Sequence, residues 1–145
     1  MTSIRFPLAV VLTLVAALAL IAGCGSDSGD AERPAGAEPF QVIDVDTLAA
    51  QRDEVDGLQI LDVRTPEEVA EGTIPGALNI PHDEVEAGNT EGLDLDRPIA
   101  AICRSGNRAT SAGDALVAAG ASDVRVVRPG GVGTWQEGGY PIVVP

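Results

Sequence analysis

The sequence predicts an α/β fold built on a mostly parallel five-stranded sheet with helices on both faces. Three observations point there. Short apolar runs alternate with helical patterns along residues 40–145, the order that gives a layered parallel sheet. The run at residues 58–63 is mostly apolar, at four of its six positions, as expected of a strand buried on both faces. Between runs stand helix-start signals, the strongest being Thr65-Pro66-Glu67-Glu68, with an N-cap, a proline at N1 and a capping-box glutamate.

In chain order, residues 40–43 read as a first strand. Residues 45–51 follow as a short helix capped by Asp44 or Asp46. The second strand is 58–63, and the helix opened by Thr65 comes after it. Residues 77–80 form a third short strand, and residues 83–87 one or two helical turns. The fourth strand is 98–102. From 109 to 119 the residues Ala109, Ala112, Ala115, Leu116 and Ala119 share one helical face. Their small size suits close packing on a sheet, and Gly120 closes the helix at C′. Residues 124–127 make the fifth strand, and Gly130-Gly131 leads into a short helix carrying Trp135.

The hexapeptide Cys103-Arg104-Ser105-Gly106-Asn107-Arg108 lies between the fourth strand and the long helix. A cysteine at a strand end, just before a helix N-terminus and beside Arg104 and Arg108, is placed where the thiolate is favoured. The loop amides and guanidinium groups would hold an anion beside the sulfur. In parallel sheets ligands bind at the carboxyl ends of strands, which is where Cys103 falls.

The amino end is of another kind. Arg5 precedes an apolar segment over residues 8–22, short for a membrane-spanning helix but suited to a signal-peptide core. Ile21-Ala22-Gly23-Cys24 resembles the lipobox of bacterial lipoproteins, which implies cleavage before Cys24 and lipidation of it. On that reading residues 1–23 are a signal peptide. Residues 24–39 are the lipidated Cys24 and a flexible acidic tether, and residues 40–145 form the one folded domain, held on the extracytoplasmic face of a membrane by the lipid. The chain has two cysteines, so a lipidated Cys24 leaves Cys103 a lone thiol and excludes a disulfide between them.

The formal charge is −13, from 22 carboxylates against nine basic residues, all of them arginine. Such a surface repels nucleic acid and anionic headgroups, so the lipid must do the anchoring. It also repels small anions at long range, which raises the importance of the arginines beside Cys103. A single histidine excludes a Ser-His-Asp triad and a His-rich metal site, and two cysteines make no zinc site. No cofactor is expected. Gly130-Gly131-Val132-Gly133 lacks the lysine and spacing of a phosphate loop. Trp135 reads as a core plug. His82 follows Pro81 in a loop remote in pattern from Cys103 and is not expected to act as a base. Glu67-Glu68 and Asp83-Glu84 read as helix-start charges.

Five segments carry a resemblance: Leu61-Asp62-Val63-Arg64, Thr65 to Glu68, Glu71 through Ile80, the cysteine hexapeptide, and Gly130 through Trp135. They stand in the order found in single-domain rhodaneses, and the likeness covers nearly all of residues 40–145. It implies a rhodanese-like fold and sulfur transfer, in which a cysteine takes a sulfane sulfur from thiosulfate, polysulfide or a similar donor and passes it to a thiol or cyanide-like acceptor. Cys103 would be the sulfur carrier, and Arg104, Ser105, Gly106, Asn107 and Arg108 would cradle donor and persulfide. Gly106 permits a left-handed conformation that a Cβ opposes, and Asn107 tolerates one better than most residues. Arg104 is expected to face solvent and attract the donor, Arg108 to brace the loop. Asp62 and Arg64 are expected to be a structural pair supporting it.

Four residues separate Cys103 from Arg108. Cysteine phosphatases, whose related domains resemble rhodaneses, carry a longer loop, so a phosphatase is disfavoured. The chain departs from the family at Thr73, where many members have histidine. A second reading makes the domain a membrane-tethered sulfur-carrier, sensing or binding module with little turnover of its own and an unknown protein partner. A thiol-redox role is disfavoured because no resolving cysteine is present.

Overall fold

The computed structural model describes residues 39–145. The signal segment, Cys24 and the tether up to residue 38 lie outside the described residues. The strands are β1 (Gln41–Ile43), β2 (Gln59–Asp62), β3 (Leu78–Asn79), β4 (Ile99–Ile102) and β5 (Val124–Val127). They form one sheet in the order β1-β5-β4-β2-β3, with every neighbouring pair parallel. The sheet is thus wholly parallel, and the lone antiparallel bridge, Thr73 with Val143, stands outside it.

Five helices connect and cover the strands: α1 (Val45–Glu54), α2 (Pro66–Ala70), α3 (His82–Glu86), α4 (Asn107–Ala118) and α5 (Val132–Glu137). β4 lies at the centre of the sheet and is buried at all four positions. Strand parity sends its side chains to opposite layers. Ile99, Ala101 and then Cys103 join Val85 of α3 and Ala109, Ala112 and Leu116 of α4 in one core. Ala100 and Ile102 join Val45 and Leu48 of α1 and Val132 and Trp135 of α5 in the other. Both faces are covered, as the unbroken apolar run of β4 requires. Trp135 fills the second core at 1 % exposure, and its Nε1–H donates to the Pro141 carbonyl.

Local chemistry explains the helix starts. Asp44, not Asp46, caps α1 by accepting from the Thr47 amide at 2.7 Å. Thr65 and Glu68 close a reciprocal capping box on α2. Two boundaries move by more than one residue. α1 continues to Glu54, since the polar residues after Gln51 are good helix formers that the apolar pattern does not mark. α4 begins at Asn107 rather than residue 109. Asn107 and Arg108 carry no apolar signal, yet Gly106 at φ +101° turns the chain sharply enough to start the helix there. Its carbonyl accepts from the amide and hydroxyl of Thr110, both at 3.0 Å.

Candidate active site

The central strand delivers Cys103 to the carboxyl edge of the sheet at 1 % exposure. The chain reverses over Arg104, Ser105 and Gly106, and the Gly106 amide donates to Cys103 Sγ at 3.1 Å. A side chain at Gly106 would strain the positive φ and bring a Cβ to 2.7 Å from the Arg128 Cβ. From the other side the Val132 amide donates to the Cys103 carbonyl at 2.9 Å, fixing the start of α5 against the loop. Gly131 makes that approach possible, because a Cβ there would collide with the carbonyl oxygens of Cys103 and Arg104. The cysteine is thus held at its backbone and its sulfur, while Arg104, Ser105 and Asn107 stand exposed around it.

Arg108, one residue into α4, reaches away to Glu68 of α2 and forms a two-pronged ion pair at 2.5 and 2.9 Å. The Arg108 guanidinium holds the Glu68 carboxyl down to about 2, with help from the Thr65 amide. Glu68 in turn raises the already high pKa of Arg108. The guanidinium therefore ties the cysteine loop to α2, and its charge is largely matched by a carboxylate.

Beneath this pair lies a buried polar knot. Asp62, the last residue of β2, accepts from the backbone amide, Nε and Nη2 of Arg64 and from the Thr73 hydroxyl at 2.8 Å. Arg64 also donates to the carbonyls of Glu68 and Gly72. Asn79 Nδ2 donates to the carbonyls of Asp62 and Arg64. Thr73, where the family pattern often has histidine, is thus a hydrogen-bond donor inside the knot, and its backbone pairs with Val143 of the carboxyl-terminal tail. Buried charges need such saturation with partners.

Next to the cysteine loop opens a cavity of about 140 Å³. Arg64, Glu68 and Glu71 form one wall, and Arg104, Val132, Gly133 and Gln136 the other. A wider groove of about 290 Å³, lined by Pro39, Phe40, Gln41, Ser122, Asp123 and Val124, lies at the amino ends of β1 and β5. That is the opposite end of the sheet from Cys103, and no reactive side chain lines it.

The structure gathers Cys103, Arg104, Ser105, Gly106, Asn107 and Arg108 at one strand-to-helix turn, with Asp62 and Arg64 packed beside it. His82 opens α3 and donates its amide to the Val63 carbonyl. Its Nδ1 is buried without a hydrogen-bond partner, and no hydrogen bond joins it to the cysteine loop. Among the described residues Cys103 is a free cysteine, and no cluster of metal-ligating side chains is present. Nor, among those residues, is any helix long and apolar enough to cross a membrane.

Sequence reasoning missed four contributors. Glu68 shows its capping-box role in the local pattern, but its partner Arg108 is 40 residues away. Glu71 and Gln136 reach the cavity only through the packing of α2 and α5 beside the loop. Gly131 could have been found, since paired glycines after a strand signal close backbone approach.

Comparison with known proteins agrees with this fold. The model of the rhodanese-like domain matches residues 42–137. A sulfurtransferase of Allochromatium vinosum is 35% identical over 103 residues, which cover 71% of this chain and 94% of that protein. The thiosulfate sulfurtransferase GlpE of Pseudomonas putida is 37% identical over 81 residues, covering 56% of this chain and 72% of the relative. The crystal structure of a rhodanese-related protein from Thermoplasma volcanium superposes with a TM-score of 0.63 at 33% identity, covering 73% of this chain and all of that one.

Proposed function

Because the chain belongs to the rhodanese-like domain family, we propose that it is a sulfurtransferase that carries a sulfane sulfur on Cys103. The observation that carries this reading is the Gly106 amide aimed at Cys103 Sγ at 3.1 Å. It sits in a turn where Gly106 and Gly131 leave no room for a side chain. An amide fixed on that sulfur is preorganised for negative charge there and needs no rearrangement during transfer.

In the first step the Cys103 thiolate attacks the sulfane sulfur of a donor such as thiosulfate. A new S–S bond forms, the donor S–S bond breaks, and sulfite departs with the electron pair. In the second step an acceptor thiolate or cyanide attacks the outer sulfur of the persulfide. The Cys103 thiolate leaves and the loop is restored. Neither step needs a cofactor or an external oxidant.

Arg104, exposed beside Cys103, attracts the anionic donor. The loop from Ser105 to Asn107 holds the persulfide. Arg108, its charge largely matched by Glu68, contributes by bracing the loop. Asp62 and Arg64 support the turn from below. The chain is held at the extracytoplasmic face of a bacterial membrane by a lipid on Cys24, a reading supported by the Ile21-Ala22-Gly23-Cys24 motif after an apolar segment. The near-complete burial of the Cys103 thiol favours the second reading, a tethered sulfur carrier whose partner must engage the loop.

The test is thiocyanate production from thiosulfate and cyanide by the full chain in detergent. Turnover that is lost in Cys103→Ser, with the fold unchanged by circular dichroism, supports the enzyme. Retention of activity in Cys103→Ser overturns the assignment of the carrier. A Cys103 that loads sulfur but turns over poorly points to the carrier module.

A further inference from the structure

The Gly106 amide faces Cys103 Sγ, yet nothing in a glycine itself holds that aim. Without a Cβ its backbone well is broad, and Gly106 stands at φ +101° and ψ −24° as the N-cap of α4. The helix opens there with no side-chain cap, and helix ends fray. The restraint therefore comes from neighbours. Arg128 closes the space over Gly106, its Cβ 2.7 Å from where a Gly106 Cβ would stand. Thr110 donates twice to the Gly106 carbonyl, through its amide and its hydroxyl, each at 3.0 Å.

The amide bond is the ordinary first rung of the helix, and the hydroxyl bond is an addition to it. A threonine hydroxyl bonded to the carbonyl four residues back is common in helices. Here the accepting carbonyl belongs to the residue that donates to the sulfur. The same hydroxyl accepts from Arg128 Nη1 at 3.5 Å, and the Arg128 guanidinium is seated over the Phe40 ring at 5.9 Å. A cation beside the hydroxyl oxygen orients its dipole, so the proton points away from the guanidinium and toward the carbonyl. We propose that Thr110 is a positioning residue for sulfur transfer. Its hydroxyl, oriented by Arg128, pins the Gly106 carbonyl and keeps the Gly106 amide on Cys103 Sγ.

This role rests on Cys103 being the sulfur carrier, as proposed above. The step it serves is loading. The Cys103 thiolate attacks the sulfane sulfur of thiosulfate and a new S–S bond forms. The donor S–S bond breaks and sulfite departs with its electron pair. A hydroxyl that acts only by fixing the Gly106 peptide changes the rate of this step. It leaves capture of the donor at Arg104 as it was.

The experiment compares wild type, Thr110→Val and Thr110→Ser as full chains in detergent. Single-turnover loading is followed by the mass of the Cys103 peptide over a range of thiosulfate concentrations, giving a maximal rate and a half-saturating concentration. Valine keeps the shape of threonine and loses the hydroxyl, while serine keeps the hydroxyl and loses the methyl group. Thr110→Val is expected to lower the maximal rate about three- to tenfold, the worth of one hydrogen bond, with half-saturation unchanged. Thr110→Ser is expected to load at the wild-type rate. Arg128→Met, which keeps the Cβ beside Gly106, is expected to slow loading in the wild-type background and to add nothing in Thr110→Val. A serine variant slower than the valine one would make Thr110 a packing residue and overturn the positioning role. Equal rates in all three, or a change confined to half-saturation, would overturn it as well while leaving the carrier intact. Equal slowing by Arg128→Met in both backgrounds overturns the orienting role of Arg128. Failure of wild-type Cys103 to take up sulfur at all overturns the carrier reading and this inference with it.

Discussion

At the scale of single residues the site depends on backbone position more than on side-chain chemistry. Gly106 combines a φ of +101° with a neighbouring Arg128 Cβ 2.7 Å from where its own Cβ would stand. Gly106→Ala is expected to lose about 1–3 kcal/mol of stability. It should also slow sulfur loading by tenfold or more, because the amide that faces Sγ moves with the residue. Chemical denaturation and single-turnover loading measure the two effects separately. Loading at the wild-type rate in a destabilised Gly106→Ala would show that the amide does not assist. The cysteine hexapeptide and the Asp62–Arg64 pair were legible in the sequence because they are local: two residues apart in one case, consecutive in the other. The role of Thr73 was only half legible. Its hydroxyl could be expected to find a partner, but that the partner is Asp62 depends on β2 and the loop after α2 meeting in space.

At the scale of elements, the Glu68–Arg108 pair joins α2 to the first turn of α4 and so couples the cysteine loop to the rest of the edge. Glu68 has an ordinary value of 4.5 and is held down to about 2 in the folded chain. A depressed carboxyl contributes stability that is fully present above its unfolded value and is lost as pH falls through its folded value. The stability gap between wild type and Glu68→Gln is therefore expected to be constant above about pH 5, to shrink through pH 4.5 and to vanish near pH 2. Urea titrations at several pH values check this, and a gap that does not change with pH would mean the ion pair adds nothing. The five strands and five helices were legible because each carries its own apolar period, cap or glycine stop. The early start of α4 was not, since Asn107 and Arg108 enter the helix on the strength of the Gly106 turn and not of any periodicity. The ion pair itself was invisible for the same reason: nothing near Glu68 in the chain announces Arg108.

At the scale of the whole molecule, the proposed function has a chain of charge −13 receive a small anion at the exposed Arg104. Long-range repulsion opposes the donor until it is within reach of Arg104. Raising ionic strength from about 0.01 to 0.15 M shortens the screening length from about 30 to 8 Å. The repulsion is then screened more than the short contact. The apparent KM for thiosulfate is expected to fall over that range, by about two- to fivefold. A rise would mean that local attraction by Arg104 dominates at all distances. The sheet order, with β4 at the centre, puts Cys103 at the carboxyl edge between two covered faces. The order of elements along the chain made a parallel α/β sheet legible, while the packing that puts Glu71 and Gln136 beside the loop emerges only when the helices are in place.

The central claim is that Cys103 carries the transferred sulfur. The most direct measurement is the mass of the full chain after exposure to thiosulfate without acceptor, followed by peptide mapping to separate Cys103 from Cys24. The account predicts a gain of one sulfur atom on the peptide containing Cys103, removed by cyanide and absent in Cys103→Ser. Sulfur found elsewhere, or none on Cys103 with either thiosulfate or polysulfide, would contradict it.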